Sequence, residues 1–307
     1  MKKSTLITLG LATSVSASAG YYWANTKLFN ATLVGHKKSV SVHDTDTSCL
    51  TQPTIDASIW FKKAPKKAVE LKTFDGLTLK GDIIVHKECQ KWIILAHGYK
   101  STKVSMYISA QNFFEQGYNI LVFDQRSHGN SDGKYIGMGW LEQNDLMDWI
   151  QYIQDIHSDA KIALYGVSMG AATVMNTTGN NLPENVVCAI EDCGFTSVGE
   201  ILLSQMKKKY GSDFKALLVG FQALCKRKLG YDIFKASSVD QLKKSKTPTL
   251  FIHGTKDTYV PFEMVYHNYE ACSAKKELLV VPDAGHALAL LDDSYFKVIH
   301  SFLKKYM

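Results

Sequence analysis

Ser168 stands in Gly166-Val167-Ser168-Met169-Gly170, a serine with a glycine two residues to either side. The apolar run "KIALYGV" before it reads as a strand, and Gly170, Ala171 and Ala172 read as the start of a helix. That context predicts a sharp strand-to-helix turn that exposes the hydroxyl at its tip. Side chains at 166 and 170 would collide with the neighbouring helix and strand, a reason for glycine at both. A serine hydroxyl is a weak nucleophile until a base takes its proton, and the base needs an orienting carboxylate. The chemistry this pattern could do is acyl transfer through a covalent intermediate on Ser168.

In strand-turn-helix serine sites the acid and the histidine follow the serine in that order. The downstream histidines are His253, His267, His286 and His300. His286, in "VVPDAGHALAL", lies just past the last apolar run and is the expected base. His253 ends a strand and supports the acid loop, while His267 and His300 fall on helices. Asp257, in "HGTKDTYVP", is the expected acid. Asp192, at the end of "AIEDCG", and Asp283, near His286, are its rivals, Asp283 as a residue that shapes the turn. A tetrahedral oxyanion needs two backbone donors. The N–H of Met169 is one; the other is assigned to Tyr99 in "LAHGYKS", with His97 bracing that loop.

These residues need a scaffold. "AVELKTFDGLTLKGDIIVH" alternates about Asp75-Gly76 and predicts an antiparallel hairpin. From Lys91 onward, "KWIILAHG", "YNILVFDQR", "KIALYGVS", "NVVCAIEDCG", "PTLFIHGT" and "KELLVVPDAG" read as strands buried on both faces. Helical stretches separate them: 104–116, 140–156, 169–178, 261–271 and 294–306. This alternation predicts a doubly wound, mostly parallel sheet with ligands beyond the carboxyl ends of its strands. The interval 195–246 has no strand candidate. It reads as amphipathic helices, with Ile201, Leu202 and Met206 at helical spacing, that form a cap over the site.

The chain has 307 residues, 46% hydrophobic and 21% charged, enough apolar content for one large core and no sign of bulk disorder. Net charge is +6. The basic runs Lys62, Lys63, Lys66, Lys67; Lys207 to Lys209; Lys226, Arg227, Lys228; and Lys243, Lys244, Lys246 lack aromatic interleaving, so they read as solvated surface and no nucleic-acid partner is expected. The six cysteines include no C-x-x-C pair, and neither a metal nor a cofactor is expected.

The N-terminus stands apart. Lys2 and Lys3 precede a stretch without charge up to Lys27. It reads as a single-pass membrane anchor over residues 1–29, with Tyr21, Tyr22 and Trp23 as an aromatic belt and the rest of the chain outside the cytoplasm. Ala17-Ser18-Ala19 offers the alternative of cleavage near Ala19 and secretion. A neck over 30–68, with a helix near 55–62, would lead to the main domain, 69–307.

Residues 69–307 resemble a serine hydrolase of the α/β-hydrolase superfamily. They are especially similar to anchored bacterial hydrolases related to the serine aminopeptidase and acylaminoacyl-peptidase catalytic domains. The resemblance is carried by "HGY" at His97, "FDQRSHGNSDG" around Asp124 to Gly133, "GVSMG" at Ser168, "HGTKDTYVP" at Asp257 and "AGHA" at His286. It implies an α/β-hydrolase fold, esterase activity on small acyl esters, and structural roles for Asp124, Arg126 and Ser131. The absence of a propeller-like repeat departs from the larger peptidases and argues against oligopeptide gating. The expected function is hydrolysis of carboxylic esters with small or medium acyl groups, the partner being a small-molecule ester or short peptide. Peptide hydrolysis and acyl transfer share the same acyl-enzyme, and a catalytically silent surface-binding module is the non-enzyme alternative.

Overall fold

The computed structural model describes residues 3–35, 52–211 and 215–307. A long N-terminal helix, α1 (Lys3–Leu33), is followed by α2 (Gln52–Lys63) and then by an eight-stranded sheet with spatial order β1-β2-β4-β3-β5-β6-β7-β8. The strands are β1 (Lys66–Lys72), β2 (Thr78–Ile84), β3 (Lys91–Ala96), β4 (Asn119–Phe123), β5 (Lys161–Val167), β6 (Val186–Asp192), β7 (Thr249–Gly254) and β8 (Lys276–Val281). Strands β1, β2 and β4 pair antiparallel, and the sheet from β4 to β8 is parallel. Each apolar run read as a strand is one, and the Asp75-Gly76 turn joins the opening hairpin, with Gly76 at φ 86°.

Strand alternation divides the core between two faces. Ile93, Leu95, Ile120 and Val122 point to one face, where they meet α2, α3 (Tyr107–Glu115) and α10 (Tyr295–Leu303) through Phe61, Phe113 and Phe302. Ile94, Ala96, Leu121 and Phe123 point to the other, against Leu146, Trp149 and Ile153 of α4 (Glu142–Ile156) and Val174 of α5 (Met169–Thr178). Covering both faces is what a parallel sheet requires, because its strands are apolar on both sides. Near the far edge, α8 (Ser238–Leu242) and α9 (Glu263–Ala271) close a smaller cluster around Phe251.

The interval 195–246 forms α6 (Val198–Tyr210), α7 (Lys215–Leu229) and α8. Its apolar face is closed partly by the N-terminal segment. Asn25, Phe29 and Leu33 recur every fourth residue on α1 and are buried; Phe29 and Leu33, completely buried, join a cluster with Ile201, Leu218 and Phe221. Gly220 permits the crossing, since a Cβ there would run into the Asn25 amide. The Tyr21 hydroxyl bridges a turn of α7, donating to Ala216 O (2.5 Å) and accepting from Gly220 N–H (2.8 Å). Residues 1–29, expected to be an anchor, thus end in a surface that packs on the cap. Among the described residues no helix is long and apolar enough to cross a membrane. The five described cysteines are free thiols; Cys49 lies outside the described residues.

Candidate active site

The sheet order reverses direction at β3, so the loops leaving β3 and β5 diverge and a crevice opens between them. Ala96 and Gly166 are register partners, which puts the Gly98-Tyr99 loop beside Ser168. A Cβ added to Gly98 would lie 3.5 Å from Ser168 Cβ. Ser168 occupies the turn between β5 and α5 at φ 58°, ψ −115°, a backbone conformation that L-residues rarely adopt. Both glycines of the motif are sterically required. A Cβ at Gly166 would strike the Gly170 carbonyl, and one at Gly170 would strike the Ala96 carbonyl, each well inside van der Waals contact. Met169 opens α5, so its N–H belongs to the first turn, which has no intrahelical acceptor.

Strands β7 and β8 supply the partners. Asp257 follows β7 and His286 follows β8, and both loops turn back over the carboxyl edge. His286 Nδ1–H donates to Asp257 Oδ2 at 2.7 Å. That fixes the tautomer: Nε2 is left bare and accepts from the Ser168 hydroxyl at 2.9 Å. Asp257 Oδ1 accepts from Tyr259 N–H (2.7 Å) and Val260 N–H (2.9 Å), and His253 Nε2 donates to Oδ2 (3.1 Å). Burial alone would raise the Asp257 pKa. The hydrogen bonds from His253 and His286, the His286 charge and the Val260 N–H outweigh it and hold the carboxyl well below its ordinary value.

The rivals are placed elsewhere. Asp192 Oδ2 accepts from the Tyr295 hydroxyl at 2.7 Å, and Asp283 makes a surface ion pair with Lys256 (2.9 Å) from a turn at φ 61°. His267 is exposed on α9, and His300 on α10 contacts Asn112 Oδ1 at 2.7 Å. His97 is fully buried; its Nδ1–H donates to Gly98 O (2.8 Å) and its Nε2 accepts from Gln125 N–H (3.0 Å). Burial and the neighbouring His128 lower its pKa to about 3, so the ring is a neutral brace for the Gly98-Tyr99 loop.

The segment from Asp124 to Gly133 frames the other side. Arg126 forms a two-point contact with Asp145 of α4 (2.7 and 2.6 Å) and reaches Asp75 in the hairpin turn (3.0 Å). Burial opposes the guanidinium charge, but the hydrogen bonds and charge of Asp145 raise its pKa above the ordinary value. Asp124 accepts from Lys103 N–H (2.9 Å) and Asn130 N–H (3.1 Å), and Ser131 Oγ donates to Asp124 O (2.5 Å).

A cavity of about 360 Å³ opens at Ser168 and His286. Its lining includes the apolar Val167, Met106, Ala287 and Leu290 and the hydroxyl-bearing Ser101, Ser105, Ser109 and Tyr165. A second, largely apolar cavity of about 230 Å³ adjoins it, sharing Tyr99 and Tyr259 and bounded by Leu28, Ala31 and Thr32 of α1 and by Leu218 and Phe221 of the cap. The two segments are tied at this border: Tyr99 Oη donates to Thr32 O (2.6 Å) and Lys100 Nζ to Ala31 O (2.8 Å). The Tyr259 ring packs against the His286 ring in a tilted arrangement, 37° between planes with centroids 4.9 Å apart. Sequence reasoning did not place Tyr259, Tyr295 or α1 at the site. The one available signal was the four-residue spacing of Ser101, Ser105 and Ser109.

Among the described residues, one group has metal-donor character: Cys193, Asp257 and His286, with donor atoms within 4.8 Å of one another. Burial pushes the Cys193 thiol well above its ordinary pKa, so it is a protonated, poor ligand, and the carboxylate and imidazole are engaged with each other.

Residues 87–210 match the family model described as serine aminopeptidase, S33. An uncharacterized protein of Bacillus subtilis (strain 168), YqkD, is 26% identical over 246 residues, 79% of this chain and 81% of the relative. The Pyrococcus furiosus esterase Pf2001 is 26% identical with a TM-score of 0.66, over 84% of this chain and 96% of that one. A Pyrococcus horikoshii acylaminoacyl peptidase, 18% identical, shares the fold at a TM-score of 0.58 over 81% of this chain and 43% of that one. With its strand order, its serine turn and these relatives, the chain belongs to the α/β-hydrolase superfamily and is a hydrolase of that fold.

Proposed function

We propose that the protein hydrolyses carboxylic esters of small or medium acyl groups through an acyl-enzyme on Ser168. The observation that carries this reading is the continuous path from Asp257 Oδ2 through His286 to Ser168 Oγ, at 2.7 and 2.9 Å. In this reading His286 Nε2 takes the hydroxyl proton as Ser168 Oγ bonds to the substrate carbonyl carbon. The N–H groups of Met169 and Tyr99 stabilise the oxyanion. His286 then delivers the proton to the leaving alcohol as the C–O bond breaks, and water attacks the acyl-enzyme by the same route in reverse. Asp257 holds the ring and stabilises its charged form.

The reading is tested with the full chain and a p-nitrophenyl ester series, with Ser168→Ala as control. A burst followed by turnover, both lost in the variant, is the expected result. Turnover of aminoacyl p-nitroanilides without ester turnover would replace it with peptide hydrolysis, the activity named in the family model. Transfer to added alcohols in preference to water would make the protein an acyltransferase. Absence of turnover together with absence of Ser168 labelling by a fluorophosphonate would leave a silent binding module.

The location is proposed on sequence grounds: a single-pass N-terminal segment with the hydrolase domain outside the cytoplasm, supported by the charge-free run after Lys2 and Lys3. Release after cleavage near Ala19 is the alternative, and the docked surface that begins at Tyr21 survives it. Fractionation of cells expressing a C-terminally tagged chain distinguishes the two, by a membrane-bound full-length band against a shorter soluble one.

A further inference from the structure

Asp192 ends β6 beneath the site and takes no part in the chemistry proposed for Ser168. It heads a chain of hydroxyls that runs into the cavity wall. Tyr295 Oη donates to Asp192 Oδ2 (2.7 Å), Tyr165 Oη lies 2.8 Å from Tyr295 Oη, and Ser109 Oγ lies 3.1 Å from Tyr165 Oη. Asp192, Tyr165 and Tyr295 are fully buried, whereas Ser109 and Tyr165 border the cavity that contains Ser168.

Each hydroxyl has one proton to give. Tyr295 has given its proton to the carboxylate, so the contact with Tyr165 is made by the Tyr165 proton. The contact with Ser109 is then made by the Ser109 proton. What remains at the cavity surface is a lone pair on Ser109 Oγ, an acceptor with no proton left to offer. Three successive donations toward a buried acid also polarise that oxygen.

We propose that this wall is a specificity subsite for a hydrogen-bond donor, so that the preferred substrates are esters carrying a hydroxyl or amide N–H in the portion that fills the cavity. The proposal rests on the ester reading of Ser168. The apolar lining residues Val167, Met106, Ala287 and Leu290 accommodate the intervening methylenes. A plain alkyl group would fit by size but would leave Ser109 Oγ desolvated and without a donor, the situation in which buried polar sites discriminate most strongly. A ketone or an ether, which can only accept, would face a second acceptor.

The test compares p-nitrophenyl hexanoates that carry a hydroxyl, a methoxy or a keto group at successive carbons with the unsubstituted ester, and a parallel acetate series varied on the alcohol side. In at least one position the hydroxylated ester should exceed its methoxy counterpart by about tenfold in kcat/KM. Ser109→Ala should bring that ratio to near one. Tyr295→Phe, which frees the Tyr165 proton, should narrow it by raising the methoxy ester. Equal rates for hydroxy and methoxy esters at every position, or a preference for the keto ester, would overturn the proposal while leaving ester hydrolysis intact. If no ester is turned over and Ser168 is not labelled, the hydrolase reading itself fails. Calorimetric binding of the same hydroxy and methoxy pair to the Ser168→Ala chain then decides the subsite, since a selective wall would still bind the hydroxylated member more tightly.

Discussion

Asp257 receives two imidazole N–H groups and two backbone N–H groups, a donor set that favours the carboxylate form over the acid. Its role in the proposed mechanism is orientation and charge, and Asp257→Asn tests both. Asn can still fill the space but would present its amide N–H₂ or its weaker carbonyl to His286, destabilising the tautomer that accepts the Ser168 proton. A fall in kcat on the order of a thousandfold or more is expected, with the folded state retained by circular dichroism. Because the hydrogen bonds from His253 and His286 hold the Asp257 pKa well below its ordinary value, the Asp257 carboxyl should add nothing to the acid limb of the activity profile. A slope of two in the plot of log kcat/KM against pH would mean that the Asp257 carboxyl takes up a proton in that range and would contradict its depressed pKa. Gly170→Ala makes a steric prediction at the same scale. The added methyl meets the Ala96 carbonyl, so the β3 and β5 loops must separate, and activity should drop even though Ser168, His286 and Asp257 are unchanged.

At the scale of elements, the unusual member is α1. Its last turns close the apolar face of the cap, bound the second cavity and accept hydrogen bonds from Tyr99 and Lys100 on the loop that borders Ser168. The chain then continues to an isolated bridge between Val34 and Tyr135 and a hydrogen bond from Ile136 N–H to Leu33 O (2.7 Å). Removing residues 1–20 should leave turnover and stability near those of the full chain. Removing residues 1–35 should lower both, because it exposes the cap face and releases Tyr99. Within the intact chain, Phe29→Ala isolates the packing contribution, with an expected loss of about 3–5 kcal/mol in urea unfolding for a fully buried aromatic. An effect below about 1 kcal/mol would show that α1 is not packed on the cap in solution.

For the molecule as a whole, buried titratable groups set how stability follows pH, and their signs differ. His97 has its folded pKa lowered to about 3, so it is neutral in the folded state while the unfolded chain takes up a proton below its ordinary value. Its contribution is intact above pH ~6.5 and is lost as pH falls toward the folded value, by about 1.4 kcal/mol per pH unit. Burial lowers His128 as well, with the same sign. Burial raises Glu191 and Asp192, which act oppositely: their penalty is full above the folded pKa values and shrinks as pH falls from there toward the lower unfolded values, where it vanishes. The net slope mixes these effects, and the difference between parent and variant isolates the His97 contribution. His97→Gln should remove about 1.4 kcal/mol per pH unit of slope below pH ~6.5 relative to the parent, read from urea unfolding at several pH values.

The serine turn was legible in the sequence because its constraint is local. Gly166, Ser168 and Gly170 are two residues apart and answer to one steric problem between a strand and the helix after it. Strands β3 to β7 were legible for a related reason, since burial on both faces leaves an apolar run with no alternation to misread, whereas β8, read the same way, is a half-buried edge strand. His286 followed from its place just past the last such run. Choosing among Asp257, Asp192 and Asp283 was harder, because strand ends look alike in a linear chain. Folding separates them: the loop after β7 curls so that Asp257 meets His286, while Tyr295, 103 residues further along, binds Asp192. The N-terminal stretch shows the same limit. Its lack of charge is visible in one dimension, but Asn25, Phe29 and Leu33 form a meaningful face only once α7, nearly two hundred residues away, lies against it. Local sterics and hydrophobic patterning are written in neighbouring residues and so determine the elements and the serine turn. Which distant side chains share a proton or a cavity depends on how those elements pack, and only the tertiary structure decides it.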